Sequence, residues 1–518
     1  MSYTISIHTR HDANMTISSK DAIISYFEFE KLTKVRNFEF SKDEKFGTEF
    51  YTYIMPILEP YRNQIVKFNF CWLTMAQKEL FIQEFPEIIF EEKKHHISHA
   101  YSLYAFTENK ESDLIVSFDG GGDMRDYFKL FTWVNGRIEL FKEVSLNLGA
   151  PFKILGLITD EIKSTRTFEY GTNLHLPGKI MGLAALGKTR DKYINAIRQF
   201  YLKFSKNNPD IYESLKFLLK YLMVSHNNDL KIEKNCARDI LCTSQKVFED
   251  LFFENAQELF LSRFDRILLV GGCSLNVKLN SVLYQEVKKE VFVSPVSGDC
   301  GISLGAALSD INLDVFNTFK NAFIGTSYMG DLSSYISTYN PKNINLQELA
   351  ELLAQGKIVA TVVGRVEAGA RSLGNRSILA SPLTNGIRDK LNIIKGREFF
   401  RPVAPIVTDK SQNVYFENSP HSKFMTFAPK IRPKYKIKLK EIVHFDDTCR
   451  IQTVTSDDYF IYPLLLNFGK ITNVEVLVNT SFNVNGKPIL NDLYDAFVLL
   501  ETSGIDCLYI DGLLFEKS

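Results

Sequence analysis

Short apolar runs between turn-forming clusters, with longer amphipathic stretches among them, pattern this 518-residue chain. Tyr3–His8 alternates in the manner of a strand, and Ala22–Leu32 (AIISYFEFEKL) reads as a strand leading into a helix. Asp113–Phe118 (DLIVSF), Arg266–Val270 (RILLV) and Ile358–Val363 (IVATVV) have the near-continuous apolar character of buried strands. Val291–Ser294 and Val474–Val478 (VEVLV) add two more. Tyr127–Trp133 and Arg137–Phe141 flank Val134-Asn135-Gly136 and predict a hairpin. Leu174–Gly187 (LHLPGKIMGLAALG) predicts a small-residue helix able to pack closely on a sheet, and Leu346–Gln355 predicts another helix. From Arg190 to Phe260, apolar residues recur at three- and four-residue spacings opposite Lys and Asn, the signature of a helical scaffold or lid. The polar, turn-rich Gly325–Asn345 reads as a linker between a region over residues 1–330 and one over 346–518.

Chemistry concentrates where strands end. Gly364 to Pro382 (GRVEAGARSLGNRSILASP) sets Arg365, Arg371 and Arg376 among glycines, and KGREFFRPVAPIV follows with Lys395, Arg397 and Arg401. Glycines let backbone amides approach an oxyanion, and guanidinium groups hold phosphate with paired hydrogen bonds. These arginines alternate with Gly, Ala, Leu and Phe rather than with Lys, Glu and Ser, which favours an anion site over a solvated face. HFDDTCRIQ supplies Arg450, and NTSFN, after VEVLV, supplies Asn479, Ser481 and Asn483; as a simple polar turn, NTSFN needs no ligand.

In KKHHISHAYSLYAF, His95 and His99 lie one helical turn apart, a spacing that suits two imidazoles on one metal and equally suits packing or capping histidines. DLIVSF ends in Asp119-Gly120-Gly121-Gly122, either a carboxylate placed near phosphate and metal or a plain glycine-rich hairpin. RILLV ends in Gly271-Gly272-Cys273-Ser274-Leu275-Asn276, which resembles a nucleotide phosphate turn at a helix N-terminus. Cys273 has no base beside it in sequence and reads as a buried structural thiol. Asp299, at a second strand end before the small-residue helix around Gly305, is able to join His95, His99 and Asp119 in a mixed N/O metal site.

Composition narrows the class. The chain is too long for one core, so two or three domains are expected. A formal net charge of zero argues against general attraction to nucleic acid or anionic membrane. The start lacks a basic, then apolar, leader pattern, no run reaches bilayer length, and 7 scattered cysteines without a CxxC pair read as reduced thiols, so a cytoplasmic protein is expected.

Taken in order, HHxxHA, DGxG, KxMGLAxxG, GGxxLN, a GD turn before GAA, GRxExGxRxLGNRSIL, FRPxAP, RxQTV and NTSFNxxG resemble the O-carbamoyltransferases of the nodulation-protein, cephamycin and tobramycin type nearly end to end. The resemblance implies a mixed α/β fold: an actin-like ATPase-type, duplicated N-terminal domain (1–330) and a YrdC-like C-terminal domain (346–518). It implies that ATP, with Mg²⁺, and carbamoyl phosphate give carbamoyl adenylate in the second domain. The carbamoyl group then passes to a hydroxyl of a small acceptor, such as a sugar or secondary metabolite, in the first. By motif match, Arg365, Arg371, Arg376, Lys395, Arg397, Arg401, Arg450, Asn479, Ser481 and Asn483 fall on the phosphate-binding pattern. Gly271, Gly272 and Asn276 fall on the nucleotide turn. His95, His99 and Asp299, with Asp119, fall on the positions for Fe²⁺ or another divalent metal, and His11 or Asp12 is placed to deprotonate the acceptor. Three positions depart from the family pattern: FEFEKLTK (Phe27–Lys34) stands for its EER segment, Asp123 for a Glu, and Asp447 for a Gly beside the anion site. The competing readings are a tRNA-threonylcarbamoyl enzyme, which neutral charge disfavours, a sugar-kinase-like ATPase, which leaves the arginine clusters unexplained, and a non-catalytic binding protein of the same fold, which predicts lost ligands where His95, His99, Asp299 and the arginines are all present.

Overall fold

The computed structural model describes residues 2–122, 126–162, 168, 173–207, 209–484 and 486–517. Asp123 lies outside the described residues.

The first sheet holds β1 (Tyr3–His8), β2 (Asn14–Ser18), β3 (Ile23–Glu28), β4 (Ile65–Cys71) and β5 (Ile89–Glu92) in the order β3-β2-β1-β4-β5. β1 to β3 form an antiparallel meander, and β4 and β5 run parallel to β1. The second sheet repeats this plan with β6 (Asp113–Phe118), β7 (Phe128–Val134), β8 (Arg137–Val144), β9 (Arg266–Val270) and β10 (Glu290–Val293). β6 is its central strand, β7 and β8 continue it antiparallel, and β9 and β10 run parallel. Two sheets of one order and one set of directions make the first half a structural duplication, as an actin-like arrangement requires. The β7–β8 turn has the positive φ at both Asn135 and Gly136 that a tight hairpin demands.

The strands that carry the candidate residues end together. Parallel strands leave their carboxyl ends, and the loops beyond them, on one edge of a sheet. His8 and Cys71 close β1 and β4 on one side, Phe118 and Val270 close β6 and β9 on the other, and the two edges meet. Between the sheets, the helix His95–Ser102 packs on the helix Ile302–Leu308. A Cβ on Gly305 would lie 1.7 Å from the Ser98 carbonyl oxygen, so only glycine lets the two backbones meet. The helices Asp191–Lys206, Ile211–Tyr221 and Lys234–Asn255 cover the second sheet, with Phe252 stacked on Phe128.

The third sheet is mixed, with eight strands: β11 (Lys342–Asn343), β12 (Val359–Val362), β13 (Arg376–Ala380), β14 (Ala404–Thr408), β15 (Gln452–Val454), β16 (Val476–Ser481), β17 (Cys507–Ile510) and β18 (Leu513–Glu516). Its order is β11-β18-β17-β12-β13-β16-β14-β15. The stretch read as a linker is more ordered than its polar composition implies. Within it, the helix Leu332–Tyr339 lays Tyr335 flat on Phe497 with centroids 3.9 Å apart, and β11 pairs with β18. A few aromatic contacts are enough to order a segment whose remaining residues face solvent.

Candidate active site

The helix-on-helix contact brings four chemically active side chains together. His95 and His99 project from one face of their helix, and their Nε2 atoms are 3.2 Å apart. Asp299 opens the turn before Ile302–Leu308, with Oδ1 3.4 Å from His99 Nε2 and 3.9 Å from His95 Nε2. Asp119, just past β6, places Oδ2 3.6 Å from His99 Nε2. One donor atom from each of the four lies within 4.8 Å of the others. The turn carrying Asp299 is held by Asn14, whose Nδ2 donates to the Asp299 carbonyl and whose Oδ1 accepts from Ser303 N, both at 2.8 Å. His96 points away from the group, as the helical spacing predicts, toward Ser117 Oγ and the Asp126 carbonyl.

Two carboxylates in so small a space cannot share one titration. Burial and the like charge of Asp299 raise the Asp119 pKa. Burial works against the charge on Asp299 as well, but His11, His95, His8 and His99 outweigh it and hold Asp299 well below the usual carboxylate range. Burial also keeps His95 well below the ordinary histidine value. His11 and Asp12 occupy the turn between β1 and β2, with His11 Nε2 3.4 Å from Asp299 Oδ2 and His11 Nδ1 3.4 Å from Asp12 Oδ2. Burial opposes protonation of His11, yet Asp299 and Asp12 push its pKa up to about 10.

A cavity of about 700 Å³ joins this cluster to the loops of the third sheet. Arg371, Lys395, Arg397, Arg401, Arg450, Asn479, Ser481 and Asn483 line its far end. Burial, then mutual repulsion, lowers the pKa of Arg371 to about 10 and of Arg397 to about 9, and presses Arg401 and Arg450 downward as well. Glu398 lies 3.8 Å from Arg401, while among the described residues a buried nitrogen of Arg397 and Nε of Arg450 lack hydrogen-bond partners. Guanidinium groups keep their charge at neutral pH, so the cost of crowding them is recovered when an anion enters. Lys395 is held by Ser481 and Asn483, donating to the Asn483 carbonyl at 2.8 Å. Asn479 Nδ2 donates to the Ser372 carbonyl at 3.0 Å and to Gln452 Oε1 at 2.9 Å, tying the arginine loop to β15.

Two arginines of the same motif do not reach the cavity. Arg365 spends its guanidinium on the Gly325 and Ile324 carbonyls. Arg376, wholly buried at the start of β13, donates to the Val363, Gly364 and Asn375 carbonyls and to Asn491 Oδ1. Both act as framework residues: Arg376 has every guanidinium nitrogen bonded to backbone or amide oxygen, and Arg365, exposed, ties its loop to two backbone carbonyls. The glycine turn is also used differently from a phosphate loop. Gly271 (φ +88°) is required because a Cβ there would sit 2.2 Å from the Phe118 carbonyl, and the Gly272 amide donates to Asp119 Oδ2 at 2.5 Å. Asn276 lines the cavity but caps the helix Val277–Val287 by accepting from Leu279 N. Cys273 is buried, and burial holds its thiol well above the ordinary value, as befits an inert residue. Asp447 turns outward to Lys436, 2.7 Å away, so it does not weaken the anion end.

Several residues outside the expected set shape the site. Glu367 Oε1 accepts from the amides of Leu373, Asn375 and Arg376 at 2.8, 2.9 and 3.0 Å, which folds the arginine loop around one buried carboxylate. Glu28, at the end of β3, accepts from Gly369 N at 2.5 Å, and Lys31 pairs with Glu28 and donates to the Glu367 carbonyl. The departing segment FEFEKLTK therefore anchors the arginine loop. Arg36, just beyond it, lines the cavity and adds its charge to Lys395, Arg371 and Arg401.

Fold and site together define a mixed α/β enzyme whose cavity joins a histidine–carboxylate cluster to an arginine cluster. A carbamoyltransferase N-terminus family model matches residues 46–308, and a carbamoyltransferase C-terminus model matches residues 350–517. The chain belongs to the carbamoyltransferase family. It is 27% identical to the uncharacterized protein MJ1051 of Methanocaldococcus jannaschii over 98% of each chain. It is 29% identical to nodulation protein NolO of Bradyrhizobium diazoefficiens, over 82% of this chain and 78% of that one. A solved structure, component A of the (R)-2-hydroxyglutaryl-CoA dehydratase of Acidaminococcus fermentans, matches 60% of this chain and 97% of that one at 12% identity and a TM-score of 0.34. No helix among the described residues is long and apolar enough to cross a membrane.

Proposed function

We propose that this carbamoyltransferase is ATP-dependent and works through carbamoyl adenylate, with residues 346–518 forming the intermediate and residues 1–330 transferring it to an acceptor hydroxyl. The observation that carries this reading is one cavity with an arginine end, short of carboxylates, and a His₂Asp₂ end. At the arginine end, Arg371, Arg397, Arg401 and Arg450, with Lys395 fixed by Ser481 and Asn483, neutralise carbamoyl phosphate and the ATP triphosphate. Water cleaves the P–O bond of carbamoyl phosphate to give carbamate and inorganic phosphate, the carbamate oxygen attacks the α-phosphorus of ATP, and pyrophosphate leaves, with Mg²⁺ accompanying the nucleotide. At the other end, the acceptor oxygen attacks the carbamoyl carbon, the bond to the AMP oxygen breaks, and the hydroxyl proton passes to Asp12, because His11, pushed up to about 10, already carries its proton.

The His95, His99, Asp119 and Asp299 donor set suits Fe²⁺ or another divalent ion: two imidazole Nε2 atoms and two carboxylates converge within 4.8 Å of one another. Such an ion, when bound, supplies Lewis-acid stabilisation of negative charge. The side chains themselves orient the acceptor: Asp12 is steadied by Asn37 Nδ2 at 2.6 Å, and His11 bridges Asp12 and Asp299.

The test omits the acceptor. Purified, metal-loaded protein receives ATP, Mg²⁺ and carbamoyl phosphate, and phosphate and pyrophosphate release are followed against a control without carbamoyl phosphate. Pyrophosphate release that depends on carbamoyl phosphate is expected, and ADP in place of AMP and pyrophosphate would overturn the reading. His99→Ala is expected to keep the first half-reaction while losing bound metal, read by elemental analysis, and losing transfer.

A further inference from the structure

We propose that Trp72, backed by Arg10, is the platform on which the ring of a cyclic polyhydroxylated acceptor stacks; this rests on the transfer reading above. Trp72 follows β4 at the carboxyl edge of the first sheet and lines the cavity with Arg10, His11 and Asp12. The Arg10 guanidinium lies over the indole ring, 4.7 Å from its centroid, and Arg10 belongs to the turn that also carries His11 and Asp12.

Stability alone does not account for this tryptophan. Its backbone is left-handed (φ +66°), a conformation that strains a bulky residue by about 1–3 kcal/mol and that glycine would adopt freely. Among the described residues its indole N–H has no hydrogen-bond partner, so no polar tether there explains the ring's position. The strained backbone is instead clamped from outside, Thr9 Oγ1 donating to the Trp72 carbonyl at 2.9 Å. Asp12 (φ +59°) and Asn37 (φ +52°) line the same end and share the left-handed conformation. Asp and Asn enter this region readily, so the strain rests on Trp72, and a strained bulky residue lining a cavity points to a functional surface. A flat aromatic face beside the acceptor oxygens of Asp12 and Glu30 matches a sugar or cyclitol, whose C–H face stacks and whose hydroxyls donate outward.

The chain has two tryptophans, and Trp133 is buried, so a change in fluorescence lost in Trp72→Phe belongs to Trp72. Methyl β-D-glucoside, methyl N-acetyl-β-D-glucosaminide, myo-inositol, glycerol and AMP would be titrated into wild-type protein and into Trp72→Phe. We expect at least one cyclic polyol to change the wild-type emission saturably, glycerol to leave it unchanged, and Trp72→Phe to lose the change. Arg10→Met should weaken that binding about three- to tenfold. Silence with every cyclic polyol, or a response to AMP alone, overturns the proposal. Pyrophosphate release by wild-type protein is read without any acceptor, so failure of the platform is distinguishable from failure of the adenylate reading.

Discussion

Lys179, on the helix Leu176–Ala184, and Glu398, in the loop that carries Arg397 and Arg401, form a buried ion pair 2.8 Å apart. Phe400, two residues beyond Glu398, packs against Gly182 of the same helix and belongs to the core of the second sheet. The lysine of the KxMGLA motif thus fastens the anion-binding loop to the other half of the molecule. Lys179→Met removes the nearer cation beside Glu398 and leaves Arg401 3.8 Å away, and we expect a loss of about 1–3 kcal/mol in denaturant unfolding. Lys179→Met combined with Glu398→Gln should recover part of that loss, and a double variant as unstable as the single one would show that the pair is not coupled.

Arg371 and Arg376 separate function from framework within one motif. Arg376→Met uncovers the Val363, Gly364 and Asn375 carbonyls and is expected to cost several kcal/mol, with reduced yield of folded protein. Arg371→Ala should shift the unfolding midpoint little and abolish carbamoyl phosphate-dependent pyrophosphate release. Equal loss of stability in both variants would contradict the division.

The crowding of the arginines predicts a stability gain. Arg450 has no hydrogen bond to a described residue, and burial together with Arg371, Arg401 and Arg397 presses its pKa well down. Arg450→Met relieves that repulsion, so its unfolding midpoint without phosphates should exceed wild type by about 1 kcal/mol. Millimolar pyrophosphate should stabilise wild type more than the variant. A variant less stable than wild type under both conditions would mean that Arg450 is framework.

The sequence distinguishes these roles only partly, for a physical reason. Arg365, Arg371 and Arg376 share one glycine-punctuated motif, and nothing in their spacing says which guanidinium meets backbone carbonyls, because that depends on where β13 begins. The i, i+4 spacing of His95 and His99 set both on one face within a single helix, so that pairing was legible. Asp119 and Asp299 were legible because carboxylates just past strand ends gather at one edge of parallel sheets. Glu28, Lys31 and Arg36 were not, since their partners lie more than three hundred residues away in the chain. β2 was missed as well: NMTIS looks like part of a polar loop, yet all five residues are buried because the sheet is covered on both faces.

Gly305 is required by geometry although it binds nothing. Any side chain there meets the Ser98 carbonyl and forces the helices His95–Ser102 and Ile302–Leu308 apart. Gly305→Ala should therefore lower stability by about 1–3 kcal/mol and weaken metal binding, because it moves Asp299 away from the two histidines. Elemental analysis and metal-dependent shifts of the unfolding midpoint report the two effects, and unchanged metal content in a destabilised variant would show that the cluster tolerates the displacement.

The last prediction concerns acid. Asp446 pairs with Lys278, lies 3.5 Å from His444 Nδ1 and accepts from Thr448 Oγ1 at 2.6 Å. Burial works against its charge, but His444, Lys278 and Thr448 outweigh it and hold the carboxyl far below the usual range. A carboxylate with a depressed pKa in the folded state adds stability that is complete above its unfolded pKa, about 3.9, and disappears as pH falls below it. Asp446→Asn should thus be less stable than wild type by about 1–3 kcal/mol at pH 7. At pH 3.5 the gap should narrow by about 0.7 kcal/mol, because the unfolded wild-type chain has begun to bind a proton that the folded chain refuses. Urea unfolding of both proteins at several pH values measures the gap directly. A gap that stays constant or widens toward acid would mean that Asp446 is held by packing and not by charge.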